Sequence, residues 1–221
     1  DEVSLNSKLL IQAGFVDKLM AGVYTYLPLG LRVLNKIKNI VREEMDAIGG
    51  QEILMPALTP KEIWETTERW DKIDVLFKLS GAGDKEFALG STHEEVVTPL
   101  VKKFVKSYKD LPLAVYQIQD KFRNEPRAKS GLLRGREFSM KDLYSFHTSV
   151  QDLDSFYEKS KQAYLNVFKR CGLNAEIVEA SGGVFSKFSH EFQVMTEYGE
   201  DDVYYCAKCG RHQNKELVTD G

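Results

Sequence analysis

The side chains best suited to chemistry lie in the middle of this chain. Arg123 and Glu125 sit in Phe122-Arg123-Asn124-Glu125, and Arg134, Arg136 and Phe138 follow in Arg134-Gly135-Arg136-Glu137-Phe138. The residues leading in alternate: Tyr116, Ile118 and Phe122 take one parity, and Gln117, Gln119, Arg123 and Glu125 take the other. Residues two apart in a strand share a face, so 115–125 predicts a strand with Arg123 and Glu125 together on its polar side. The basic, breaker-rich stretch Pro126-Arg127-Ala128-Lys129-Ser130-Gly131 predicts a loop. Beyond it Arg134, Arg136 and Phe138 again share parity. Paired as a hairpin, the two segments gather three arginines, a carboxylate and an aromatic ring on one surface. Guanidinium forks match phosphate oxygens, a carboxylate accepts from an exocyclic amine, and a ring stacks on a base. The set would suit a nucleotide. A solvated hairpin whose charges keep an edge soluble fits the same pattern.

Bulk composition narrows the class of protein. The 221 residues suffice for one large domain, and 43% hydrophobic with 29% charged content describes an ordinary globular chain. A net charge of -3 does not announce nucleic-acid binding, so any such contact must come from local patches. No apolar run approaches a membrane span and no signal peptide is recognised, although the sequence starts at Asp1 and not at Met. Three cysteines give no disulfide framework and fit a reducing, cytoplasmic compartment, with an organelle as the alternative.

Periodicity supplies the elements that must position those residues. Residues 5–20 read as a helix, 22–28 as a Tyr-rich extended link, and 29–48 as an amphipathic helix with Leu34, Ile37, Val41, Met45 and Ile48 in one stripe. A strand over 51–58 is interrupted by Pro56, which donates no ladder hydrogen bond. A helix over 60–70 carries Trp64 and Trp70, and 76–79 with 86–89 predicts a hairpin around Gly81-Ala82-Gly83-Asp84. Ser91 with Glu94, or Thr92 with Glu95, forms a capping box for a helix running to 109, with Val97, Leu100, Val101, Phe104 and Val105 inward. Residues 140–147 continue as a strand. Thr148 or Ser149 caps a helix over 150–171 with Leu153, Phe156, Tyr157, Tyr164, Val167 and Phe168 inward, and strands follow at 175–180 and 189–194.

The wording of the central stretch adds a resemblance. Phe122-Arg123-x-Glu125, a variable loop and then Arg134-x-x-x-Phe138 resembles the second signature of class II aminoacyl-tRNA synthetases. The longer run through Arg136-Glu137-Phe138-Ser139-Met140-Lys141-Asp142 to Tyr144-Ser145-Phe146-His147 resembles the prolyl-tRNA synthetases of bacterial type. The helix and proline-ended strand over 29–58 resemble the first signature, whose family role is a homodimer interface. The resemblance implies an α+β class II catalytic fold, an antiparallel sheet flanked by helices. It implies ATP-dependent activation of L-proline and transfer to tRNA(Pro), with Mg²⁺ accompanying ATP. Carried over by position, Arg123 would hold the α-phosphate and the proline carboxylate, Glu125 the adenine amine, Phe138 the adenine ring and Arg134 the outer phosphates. Thr92 and Glu94 of Thr92-His93-Glu94 would bind the imino nitrogen of proline, and His190 of Ser189-His190-Glu191-Phe192 would lie beside the amino acid. A secondary ammonium has two donors, which one hydroxyl and one carboxylate can satisfy.

Two features set bounds on this expectation. No G-x-G-x-x-R-like third signature occurs between Glu191 and Gly221, so the expectation is the first part of a catalytic domain across 1–221, incomplete at its C-terminal end, with 200–221 a junction to further segments. Cys206-Ala207-Lys208-Cys209 has half the spacing of a zinc site, with His212 as the only nearby further ligand, and is read as a partial ribbon without metal. The rival readings are a threonyl- or seryl-type synthetase and a non-catalytic synthetase-like paralogue that binds tRNA or a protein.

Overall fold

A computed structural model describes residues 4–182, 189–197, 199 and 201–218. The chain falls into two compact units, Asp1–Asp154 and Ser155–Gly221. In chain order the first unit contains α1 (Leu5–Gln12), β1 (Val16–Met20), β2 (Val23–Tyr26), α2 (Pro28–Ala47), β3 (Gln51–Glu52), β4 (Leu58–Pro60), α3 (Lys61–Thr66), β5 (Phe77–Ser80), β6 (Glu86–Leu89), α4 (Glu94–Phe104), β7 (Leu113–Phe122) and β8 (Glu137–Phe146). Helix α5 (Val150–Arg170) crosses the boundary, and β9 (Ala175–Ala180), β10 (Ser189–Val194), β11 (Val203–Tyr205) and β12 (His212–Asn214) complete the second unit. The class is α+β with antiparallel pairing predominant.

The centre of the first unit is the β7–β8 hairpin, in register from Leu113↔Phe146 to Phe122↔Glu137, with β3 added in parallel at Gln51↔Val115. A second, antiparallel sheet runs in the order β4–β6–β5. Val115 packs with Met55, Val97 and Val101, and Tyr144 and Phe146 of β8 lean on the same cluster. Trp64 and Trp70 form a second core with Leu76 and Ala88, and the Trp64 indole N–H donates to Thr59 Oγ1 at 2.9 Å. Without that acceptor a buried indole would strand its donor.

Several predicted elements are redrawn. The helix over 5–20 ends at Gln12, because Gly14 sits at φ +70, outside the right-handed helical region. The chain then returns as the β1–β2 hairpin, pairing Val16 with Tyr26. Leu19, at helical spacing with Leu9 and Val16 in the sequence, lies on β1 and is 75% exposed. The strand over 51–58 shrinks to β3, since Pro56 gives its carbonyl to His93 Nε2 at 3.0 Å and the chain re-enters a ladder only at β4. The helix over 60–70 stops at Thr66. Helix α4 ends at Phe104 and not at 109, because the Asp110 carboxylate takes the Lys106 and Ser107 N–H groups at 2.8 and 2.9 Å and closes a separate 3₁₀ turn. Phe104 therefore points outward at 73% exposure.

In the second unit β9 pairs antiparallel with β10 and parallel with β12, and β12 pairs with β11. Ser149 Oγ accepts from Asp152 N–H at the start of α5, as expected of a cap. Phe192 of β10 stands edge-on to Tyr164 at 5.2 Å and stacks on Phe168 at 6.2 Å. Leu153 and Tyr157, read as inward, are each 42% exposed. Gly183 of the Ser-Gly-Gly loop lies outside the described residues.

Helix α2 crosses the N-terminal segment at Gly30, where an added Cβ would stand 2.0 Å from the Phe15 carbonyl oxygen. Alanine normally stabilises a helix interior by about 1 kcal/mol over glycine. Here Gly30→Ala is expected to lower stability by about 1–3 kcal/mol through overpacking, read as a reduced midpoint in thermal or urea unfolding. A raised midpoint would contradict the close approach.

Candidate active site

Arg123, Glu125, Arg134 and Phe138 line one cleft of about 310 Å³, with Tyr26 of β2 and Leu34 of α2 on its other side. Strand β7 ends at Phe122, so Arg123 and Glu125 lie just past the ladder and not within it. Arg123 is still anchored, its N–H donating to Arg136 O at 2.9 Å, and Glu125 N–H donates to Arg123 O at 2.7 Å in a tight turn. Asn124 N–H reaches Val75 O at 2.8 Å, tying this turn to the chain leading into β5. The register brings Phe138 opposite Lys121, two residues before Arg123. The Arg123 guanidinium lies over the Phe138 ring at 5.4 Å, within cation–π range. Arg134 Nη1 stands 4.0 Å from Glu125 Oε2.

Arg136 does not join them. Its Nε donates to Glu125 O at 2.9 Å and its Nη1 to Ala21 O at 3.2 Å, while its backbone N–H donates to Gly22 O at 2.7 Å. The surface of three arginines expected from parity is thus two arginines and a staple. Gly22 is required at this crossing: a Cβ there would meet Ala128 Cβ at 2.6 Å and Arg136 N at 2.9 Å. Asn6 of α1 grips the same loop, donating to Ser130 O at 2.9 Å.

Thr92 of the loop between β6 and α4 and Glu94, the first residue of α4, are hydrogen-bonded to each other and are not among the residues lining the cleft. The loop is stitched to the end of β7 by Phe122 N–H donating to Gly90 O at 3.1 Å. The expected capping box is absent. His93 is the N-cap residue and no side chain caps α4. Glu95, offered as a box partner, is instead buried, accepting from Arg69 Nη1 at 2.6 Å and from Thr67 Oγ1 at 3.0 Å. Arg69 Nη1 also stands 3.6 Å from Glu94 Oε2.

Beneath this loop lies a buried network on the side of β7 that parity marked only as polar. Lys121, Gln117 and His93 are all 0% exposed. Lys121 Nζ donates to Asp142 Oδ2 at 2.9 Å and to His93 Nδ1. His93 therefore carries its proton on Nε2 and gives it to Pro56 O. Asp142 Oδ2 also accepts from Gln117 Nε2 at 3.1 Å and from the Tyr144 hydroxyl at 2.6 Å. Gln117 Oε1 accepts Met55 N–H at 3.1 Å, and Gln119 Nε2 donates to Met55 O at 2.9 Å. The polar side of β7 is thus a set of partners for the irregular backbone around Met55, which buried polar groups demand. Burial pushes the Lys121 ammonium down from its usual range, with Asp142 opposing. Burial, then the Lys121 charge, push His93 down as well.

His190 lies on β10 in the second unit, where its Nδ1 meets the Tyr157 hydroxyl at 2.9 Å and the rings stand 5.7 Å apart. Glu191 and Gln193 bond each other at 2.6 Å on the opposite parity, as expected. Cys206 and Cys209 are exposed thiols in a turn closed by Gly210 N–H donating to Cys206 O at 2.8 Å. Arg211 Nε donates to Cys209 Sγ at 3.4 Å and helps pull that thiol down to about 7. Among the described residues no three His, Cys, Asp or Glu side chains are grouped to hold a metal ion.

Residues 77–220, with Arg123, Glu125, Arg134, Phe138 and the Thr92 loop inside them, match the tRNA synthetase class II core domain (G, H, P, S and T). The chain belongs to this family. It is 54% identical over 95% of its length to a proline--tRNA ligase of Sulfurihydrogenibium sp., and 50% identical over 98% to one of Thermotoga neapolitana. It spans 37% and 38% of those two relatives. Its fold matches a Giardia lamblia prolyl-tRNA synthetase solved in complex with prolyl-adenylate, with a TM-score of 0.78 at 22% identity, over 85% of this chain and 40% of that one.

Within this class II core, Lys121, Asp142, Gln117 and His93 escaped sequence reasoning. The signal for them was a lysine on the parity of the glutamines and an acidic residue, Asp142, on the returning strand. His93 has a consequence for stability. Its folded pKa lies below the ordinary value of about 6.5, so the unfolded chain takes up the proton first. Its contribution is complete above that value and is lost as pH falls below it. The unfolding midpoint should therefore fall between pH 7 and pH 5, and His93→Gln should flatten that slope. His190, also lowered by burial, leaves a residual slope of the same sign. An unchanged slope in the variant would contradict the buried neutral imidazole.

Proposed function

We propose that this chain carries the proline-activating part of a proline–tRNA ligase, which condenses L-proline with ATP to prolyl-adenylate and transfers it to the 3' end of tRNA(Pro). The observation that carries the reading is the convergence of Arg123, Glu125, Arg134 and Phe138 on one cleft. The two proline--tRNA ligases of 54% and 50% identity support the amino-acid assignment, as does the prolyl-adenylate in the Giardia lamblia structure. In this reading a carboxylate oxygen of proline attacks the α-phosphorus and the bond to pyrophosphate breaks in line. Side chains form no covalent bond, so the work is positioning and charge neutralisation. Arg123 spans the proline carboxylate and the α-phosphate. Phe138 offers the base its ring face opposite the guanidinium, Glu125 accepts from the adenine amine, and Arg134 swings from Glu125 to the outer phosphates. Thr92 and Glu94 take the imino nitrogen. His190 is assigned to proline by the family resemblance alone. Mg²⁺ is implied by the phosphates of ATP, whose negative charge it would help to neutralise.

The same reading makes the full-length protein a homodimer through residues 29–58, where Leu29, Leu31, Ile37, Leu54 and Leu58 are exposed. A cytoplasmic location suits the exposed free thiols of Cys206 and Cys209. No described helix is long and apolar enough to cross a membrane.

Amino-acid-dependent ATP–pyrophosphate exchange on the full-length protein tests the assignment. Among glycine, histidine, proline, serine and threonine, proline should support exchange at least ~10²-fold better than the rest, the discrimination a site gains from matched buried polar partners. Arg123→Ala should depress exchange by at least ~10²-fold, the cost of losing a charge-assisted transition-state contact. Glu94→Gln should raise KM for proline far more than KM for ATP. A preference for threonine or serine, or a near-normal Arg123→Ala rate, would contradict the reading.

A further inference from the structure

Arg69 meets the first turn of α4 with its position set from three directions. Helix α3 ends at Thr66 and the chain turns through Glu68 at φ +56, so that Arg69 N–H donates to Trp64 O at 2.8 Å. The guanidinium then lies over the Trp64 ring at 5.9 Å, and that tryptophan is wholly buried. Nη1 donates to Glu95 Oε1 at 2.6 Å, joining an arginine side chain 16% exposed to a carboxylate with no exposure. A buried carboxylate needs such a cation, so folding alone fixes this pair. The same Nη1 stands 3.6 Å from Glu94 Oε2, the oxygen that accepts the Thr92 hydroxyl. Both contacts of Glu94 thus fall on Oε2, while its side chain is 43% exposed, and Oε1 is the oxygen left for a ligand.

We propose that Arg69 is a positioning residue for proline: anchored by Glu95, it holds the Oε2 side of the Glu94 carboxylate, so that Oε1 is presented to the imino nitrogen with its negative charge intact. The proposal rests on the proline reading above and adds what aims Glu94. A glutamate on an exposed helix start is free to rotate about its side-chain bonds, and ordering it only when the ligand arrives would weaken binding. Arg69 removes that cost without touching the ligand. Charge explains why two glutamates stand side by side. An arginine paired with Glu94 alone would cancel the charge that a secondary ammonium needs. Glu95 takes that pairing instead, at the shorter distance, and leaves Glu94 in excess. Neighbouring residues of a helix point in different directions, so one carboxylate can face the anchor while the other faces the ligand.

Proline-dependent ATP–pyrophosphate exchange on the full-length protein tests this through a mutant cycle with Glu94. Arg69→Gln is combined with Glu95→Gln, so that an amide pair replaces the ion pair and no buried charge is stranded. KM for proline should rise about tenfold, a coupling within the range of networked residues, with KM for ATP unchanged. On a Glu94→Gln background the same two changes should raise KM for proline by less than about twofold, because the carboxylate that Arg69 aims is already gone. An equal rise in both backgrounds, no rise in either, or a rise in both KM values together would leave Arg69 and Glu95 a purely structural role and overturn the proposal. Should the double variant not fold, Arg69→Lys keeps a cation beside Glu95 but carries it on a flexible stem, and the same comparison of backgrounds decides. Wild-type protein without proline exchange, or Glu94→Gln without effect on KM for proline, would instead overturn the proline reading, and the Arg69 role with it.

Discussion

A lysine with no exposed surface must be paired or it will not stay charged, and Lys121 meets this demand with Asp142 on the neighbouring strand. Breaking such a pair by removing one partner costs about 3–5 kcal/mol, because the other charge is left stranded. The pair also fixes register. Asp142 stands opposite Gln117 and Phe138 opposite Lys121, and a slip of one residue would turn the whole set to the other face. With that register, the Arg123 guanidinium falls over the Phe138 ring at the end of the hairpin. The ion pair beneath the Thr92 loop and the cleft lined by Arg123, Glu125, Arg134 and Phe138 are therefore two consequences of one alignment. The same network ties down the Thr92 loop, through His93 on Lys121 and Tyr144, so both halves of the proposed site share a foundation.

The second constraint comes from the N-terminus. The loop between β7 and β8 is long and basic, and a Lys129–Arg134 bridge closes it on itself. It is fastened from outside by Asn6 of α1 and by the β1–β2 turn, whose Ala21 and Gly22 carbonyls accept from Arg136. Tyr26 and Leu34, from the strand and helix that follow, form the far wall of the cleft. The N-terminal elements thus hold the open end of the β7–β8 hairpin, and the close approach at Gly30 holds α2 against the same N-terminal segment.

What the sequence revealed depended on how local the physics was. The β7–β8 hairpin, the β5–β6 hairpin, α2 and α5 were legible because period and breakers agree there. Arg123, Glu125, Arg134 and Phe138 were legible as a set because they flank one hairpin connection, although only Phe138 lies within a ladder. The segment over 5–20 was not, since Leu19 and Met20 fall at helical spacing while one glycine at positive φ turns the chain back on itself. Arg136 shares parity with Arg134, yet its partner is a turn more than a hundred residues upstream, and no local pattern carries that information. The polar parity of β7 was read as one face carrying Arg123 and Glu125. Its inner half faces the irregular backbone around Met55, which the sequence marks only through the interruption at Pro56. The capping-box pattern at Ser91 to Glu95 failed for the same reason: Glu95 found Arg69, a partner that only tertiary packing supplies.

The central claim is that the cleft beside β7 and the loop above it together hold one activated amino acid, prolyl-adenylate. Isothermal titration of the full-length protein with a nonhydrolysable prolyl-sulfamoyl adenosine tests it most directly, since it needs neither turnover nor tRNA. The account predicts tight binding at one site per chain, much weaker binding of the threonyl and seryl counterparts, and loss of binding in Arg123→Ala. Equal binding of all three analogues, or tight binding that survives Arg123→Ala, would contradict it.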